Sequence, residues 1–151
     1  MIEEKIKELG YTLPEIAKPL AAYIPAIRAG EFVYTSGQVP LVGGKLRYEG
    51  KIGTDLTLED GQKAAVICTL NGLSAIKEMI VDLNNIEQIV KVTVFINSAQ
   101  GFTDQPKVAN GASEFLGSVF GDAGIHTRSA VGVSELPINS AVEVEMIVMV
   151  K

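Results

Sequence analysis

At 151 residues the chain has the size of one domain, and with 47% hydrophobic against 21% charged residues it carries more apolar surface than a small subunit readily hides, so self-association is expected. Its 13 Lys and Arg against 18 Asp and Glu leave a formal charge of -5, which repels a phosphate backbone and disfavours nucleic acid as a partner. Cys68 is the only cysteine and His126 the only histidine, which excludes an internal disulfide, a Cys/His zinc site and a two-histidine ribonuclease mechanism.

Residues 1–10 are charged and amphipathic, unlike an export signal, and the apolar run 146–150 falls far short of the roughly 20 residues of a bilayer crossing. A single cytoplasmic domain over residues 1–151 is expected, with no membrane partner and with residues 1–18 as an N-terminal helix and connector. Ile2, Ile6 and Leu9 fall on one face of that helix, and Gly10 is placed to end it. Residues 12–20 carry Pro14 and Pro19 and read as the connector. Segments 23–28 and 31–38 flank Ala29-Gly30 as a hairpin, and Gly43-Gly44 marks a second turn within a region of loop and edge strand.

Thr57-Leu58-Glu59-Asp60 has the form of a capping box, and the apolar residues after it, including Ala64, Ile67, Cys68 and Val81, predict a helix over 58–81 that Asn84-Asn85 breaks. Residues 89–97 alternate as a half-buried strand does, with Val90, Val92, Val94 and Ile96 on one face and Lys91, Thr93 and Asn97 on the other. A second helix is predicted over 105–120, with Val108, Phe115, Leu116 and Val119 available for burial. Strand chemistry returns at 129–133 and 141–151, read as a closing hairpin around Pro137 and Asn139.

That order predicts an α+β fold in which one sheet carries two helices on a single face. The other face would be bare in a monomer. Its outward positions on the last strand, Ala141, Glu143, Glu145, Ile147 and Met149, mix polar and apolar groups as a subunit interface around a polar pocket does.

No phosphate loop or dinucleotide fingerprint occurs, because Gly43-Gly44 lacks the downstream spacing and helix start that phosphate binding needs; neither cofactor nor metal is expected. Cys68 lies on the apolar stripe of the long helix and reads as core. Arg128 places a guanidinium at a strand entrance, where its planar fork can bind a carboxylate through two parallel hydrogen bonds. From spacing alone, an ordinary solvated arginine is the commoner case. His126 admits two readings, a rim residue that tunes access or a solvated loop residue.

Thr35-Ser36-Gly37-Gln38-Val39-Pro40, together with Arg128-Ser129-Ala130-Val131, Leu136-Pro137 and Val142-Glu143-Val144, resembles the two signature blocks of the reactive intermediate deaminase (Rid, or YjgF) family. The resemblance covers about residues 19–151, and the N-terminal helix is an addition seen in a longer-chain branch. It implies a chorismate-mutase-like fold, a homotrimer with clefts between its subunits, and hydrolysis of 2-imino acids to 2-oxo acids and ammonia. It also implies that Arg128 grips the substrate carboxylate, Glu143 handles water or a proton, Tyr23 forms an aromatic wall, and the Ser36-Gly37 turn supplies hydrogen bonds.

The chain departs from the archetype in Ala130, where a cysteine often follows the Arg-Ser pair, and in His126-Thr127, where Pro-Ala precedes it. Asn110 falls one position from the archetypal pocket asparagine and stays outside the catalytic set. Two other classes stand beside the deaminase. One is a non-catalytic trimer that binds a small metabolite carboxylate; the other is an endoribonuclease or translation inhibitor, which the acidic balance and lone histidine disfavour.

Overall fold

The computed structural model describes residues 1–16 and 22–151, so part of the predicted connector, including Pro19, lies outside the described residues. Helix α1 (Ile2–Glu8) buries Ile6 and packs beside the second long helix, but Leu9 is left 44% exposed. Gly10, at a φ of 88°, turns the chain, and Tyr11, itself 39% exposed, sets its ring edge-on to Phe115 with centroids 5.4 Å apart.

Strands β1 (Ala26–Ala29) and β2 (Phe32–Thr35) form the predicted hairpin, and β3 (Leu41–Val42) with β4 (Lys45–Leu46) forms a small separate one. The latter turns on Gly43 and Gly44, both at positive φ, as a two-residue hairpin loop requires. Helix α2 (Leu58–Ile80) begins at the predicted capping box. Thr57 Oγ1 accepts from the Asp60 N–H at 3.1 Å, and Asp60 Oδ2 accepts from the Thr57 N–H at 3.0 Å. The second of these bonds does most to hold the Asp60 carboxyl below its ordinary value. The helix stops at Val81, whose φ of 69° breaks it before Asn84-Asn85 are reached; those two lie in a short 3-10 turn, Leu83–Asn85.

Strand β5 (Ile86–Asn97) is longer than predicted and contains a bulge between Ile89 and Lys91. The extra residue shifts the alternation, so Ile89 joins Val92, Val94 and Ile96 in the core while Val90 is only half-buried. Asn97, expected on the outer face, is fully buried at the strand's end. There its Nδ2 lies within hydrogen-bond reach of Gly50 O, Asn139 Oδ1 and Ser140 O, so the buried amide is satisfied by the loops around the strand's end.

The largest departure concerns the last two strands, β6 (Thr127–Val133) and β7 (Val142–Val150), which do not form a hairpin. Helix α3 (Gln105–Phe120) carries the chain back so that β6 runs parallel to β5, and parallel neighbours need a connection of that length. Strand β7 then inserts antiparallel between β5 and β2, giving the order β1-β2-β7-β5-β6. Helices α2 and α3 cover one face and share one core with the inward residues of β5 and β7. Tyr34, Thr93, Phe95, Glu143, Glu145 and Ile147 lie on the other face, over which no helix among the described residues packs. Ala141, expected with them, is fully buried just before β7 begins. No helix among the described residues is long and apolar enough to cross a membrane.

Cys68 is fully buried on α2, with Sγ 3.5 Å from Val142 O. Burial, then the nearby Glu143 charge, pushes its thiol well above the ordinary value. A thiol reagent should therefore leave the native protein unmodified and react fully only in denaturant. Thr57→Ala should remove the side-chain half of the α2 cap and lower unfolding free energy by about 1 kcal/mol in a urea titration, with the slope unchanged.

Candidate functional site

Arg128 lies on the edge strand β6, level with Val92 of β5, and so points to the helix-covered face. Asn110 and Ser113 sit three residues apart on α3, and that spacing puts both above the guanidinium. Nη1 donates to Asn110 Oδ1 at 2.8 Å and to Ser113 Oγ at 3.1 Å, which uses both of its hydrogens. Nε and Nη2 have no acceptor among the described residues. They form one side of the guanidinium, the edge that matches a carboxylate with two parallel N–H groups.

His126 precedes Arg128 by two residues and is half-buried, with Nε2 2.9 Å from Ser113 Oγ and Nδ1 2.6 Å from Gly124 O. Both ring nitrogens are engaged, so a solvated loop residue does not describe it.

The remaining predicted residues gather on the open face. Gly37 lies against Glu143 so closely that a Cβ there would stand 2.8 Å from Glu143 Cδ and 3.0 Å from Oε1. Gln38 holds this approach through paired backbone bonds with Val144, at 2.8 and 2.9 Å. Ser36 donates its hydroxyl to Ile24 O at 2.7 Å and its N–H to Pro25 O at 2.8 Å, tying down the segment that carries Tyr23. Tyr23 is 53% exposed and lines a shallow pocket of about 270 Å³ with Ile27, Tyr34 and Ser36. Glu143 is half-buried; burial and then the Glu145 carboxylate two residues along the same face raise its carboxyl above the ordinary value.

Within one chain the two groups do not meet. Arg128 is level with Val92 and Met146, whereas Glu143 lies three residues along β7, two strands away and on the opposite face. With strands about 4.8 Å apart and residues about 3.3 Å apart, the separation is roughly 10 Å in each direction, with the sheet between.

Asn110 lies outside the catalytic set expected from the sequence, and Ser113 belongs to neither signature block. The i, i+3 spacing on a correctly predicted helix was the available signal. It acquires meaning only once β6 is paired parallel to β5, which brings that face of α3 over the strand entrance.

A family model described as "YjgF/chorismate_mutase-like, putative endoribonuclease" matches residues 3–150. Protein TCP17 of Trypanosoma cruzi is 41% identical over 150 residues, 97% of this chain and 92% of that protein. A Dermatophagoides farinae protein named 2-iminobutanoate/2-iminopropanoate deaminase is 31% identical over 138 residues, 91% of this chain and 93% of that one. The crystal structure of Atu1372 from Agrobacterium tumefaciens, a protein of unknown function, superposes with a TM-score of 0.94 at 38% identity, covering 99% of this chain and 93% of that one.

Because the Glu143 carboxyl is raised in the folded chain, its contribution to stability is fully present below the unfolded value near 4.5 and is lost as pH rises through the folded value. Glu143→Gln should therefore stabilise the fold at neutral pH and lose that advantage below about pH 4.5. The gain should not exceed about 1 kcal/mol, because water screens a half-exposed carboxylate. Thermal unfolding of both proteins at pH 4 and pH 7 measures it.

Proposed function

The chain belongs to the Rid/YjgF family, and on that premise we propose that it hydrolyses small 2-imino acids to 2-oxo acids and ammonia in clefts between the subunits of a homotrimer. The observation that carries this reading is the Arg128 guanidinium, held at Nη1 and open along its Nε/Nη2 edge. Such a half-buried fork suits a planar carboxylate, the group that stands beside the C=N carbon in this substrate class.

Hydrolysis adds water across C=N to give a carbinolamine, whose C–N bond then breaks as the nitrogen takes a proton and leaves as ammonia. Glu143 suits the proton transfers, since its burial and its Glu145 neighbour make the carboxylate a stronger base than an exposed one. The substrate is already electrophilic, so anchoring it and supplying one acid-base group are sufficient, and no cofactor is required.

The separation of Arg128 and Glu143 within a chain is what favours a shared cleft: a second copy has to bring its open face to the β6 edge of the first. The Tyr23 and Ser36 pocket and the mixed face around Glu145 and Ile147 fit that arrangement. The name of the Dermatophagoides farinae relative supports the activity. Neither nucleic acid nor a membrane has a place in this reading.

The test couples an amino-acid oxidase, as the source of imino acids, to loss of the imine with and without the protein. Arg128→Ala and Arg128→Lys should both lower the rate by about 100-fold or more, because Lys keeps the charge without the planar fork that orients the substrate. Glu143→Gln should retain affinity for a 2-oxo acid while slowing hydrolysis by about 100-fold. Tight 2-oxo acid binding with no imine hydrolysis by the wild type would identify a carboxylate binder instead. Sedimentation should give about three times the 16.1 kDa chain mass, and a monomer at micromolar concentration would leave Arg128 and Glu143 apart. Filter binding should detect no retention of mixed single-stranded RNA at physiological salt; cleavage lost in Arg128→Ala would revive the ribonuclease.

A further inference from the structure

We propose that Ser113 and His126 are positioning residues that hold the Arg128 guanidinium in its ligand-receiving orientation, an inference that rests on Arg128 being the carboxylate anchor. Hydrogen-bond chemistry assigns each role in turn. Gly124 O can only accept, so His126 Nδ1, 2.6 Å away, carries the proton. In the neutral ring Nε2 is then an acceptor, and Ser113 donates its hydroxyl to it at 2.9 Å. With its hydrogen committed, Ser113 Oγ offers lone pairs alone toward Arg128, and Nη1 fills one at 3.1 Å. Asn110 Oδ1 takes the other Nη1 hydrogen. The guanidinium plane is thereby held at one end, and its Nε/Nη2 edge is left for the ligand.

The far end of the relay is rigid. A Cβ on Gly124 would stand 2.3 Å from Leu116 O, so the 3-10 turn Gly121–Gly124 lies directly on the backbone of α3. Gln88 Nε2 reaches Ala123 O at 3.1 Å and Ile125 O at 2.6 Å, which fastens the same turn to β5. Helix α3 is pressed on α2 with equal closeness, since a Cβ on Gly111 would stand 2.3 Å from Gln62 O. Gly124 O, Ser113 and Asn110 thus share one frame, and the Arg128 head group loses rotational freedom before a ligand arrives. A pre-ordered anchor binds more tightly because that freedom is not given up on binding.

The test is a double-mutant cycle read as the Kd for 2-oxobutanoate, followed into the millimolar range, and as KM and kcat for imine hydrolysis. Ser113→Ala and His126→Ala should each raise Kd and KM by about tenfold with a much smaller change in kcat. His126→Gln should recover most of the loss, because its amide can accept from Ser113 and donate to Gly124 O. In an Arg128→Ala background, Ser113→Ala should change nothing further. Unchanged Kd and KM in both Ser113→Ala and His126→Ala would overturn the inference, as would an equal loss that persists in the Arg128→Ala background, the mark of a merely structural brace. If Arg128→Ala alone leaves 2-oxobutanoate affinity unchanged, the anchor itself is wrong and the relay falls with it.

Discussion

The parallel pairing of β6 with β5 constrains the molecule more than any other contact, because two neighbouring strands that run the same way must be joined by a crossover as long as a helix. Helix α3 is that crossover. Its presence over the sheet roofs the entrance of β6, and Arg128 consequently emerges beneath Asn110 and Ser113. The same pairing leaves β7 to close the gap between β5 and β2, and the alternation of β7 then turns Glu143 to the uncovered face. Both halves of the candidate site follow from one topological choice.

Close backbone approaches make that choice precise at the atomic level. Gly111 lets α3 lie on α2, Gly124 lets the turn before β6 lie on α3, and Gly37 lets the β2 exit lie on Glu143. At Gly111 and Gly124 the obstructing atoms are backbone, which cannot move aside as the end of a side chain can. Around Glu143 the obstruction is the carboxylate's own side chain, so the contact shapes its position and its solvation together. The raised carboxyl of Glu143 and the raised thiol of Cys68 beneath it share a leading cause, burial that penalises the charged form of each group.

The -5 formal charge and the guanidinium site are compatible, because a small carboxylate needs one local donor array rather than a positive surface. An RNA ligand would need many phosphate contacts. The family model's description as a putative endoribonuclease has no matching excess of basic residues in this chain, which carries 13 Lys and Arg against 18 Asp and Glu.

Local patterns were legible because they depend on neighbours in the chain. The capping box at Thr57 and Asp60, the α3 boundaries at Gln105 and Phe120, the burial of Cys68 and the first hairpin at Gly30 all follow from spacings of a few residues. Arg128 and Glu143 stood out through family-like blocks rather than periodicity. Periodicity alone failed where one extra residue interrupts it, at the Ile89 to Lys91 bulge, and where a polar side chain serves a distant loop, at Asn97. The closing hairpin failed for a deeper reason: two strands close in sequence are equally well patterned whether they pair with each other or with a third strand. Only the tertiary structure decided that β5 lies between them, and with it that Arg128, Ser113 and His126 meet while Glu143 faces away, because pairing is settled by competition among strand edges across the whole sheet.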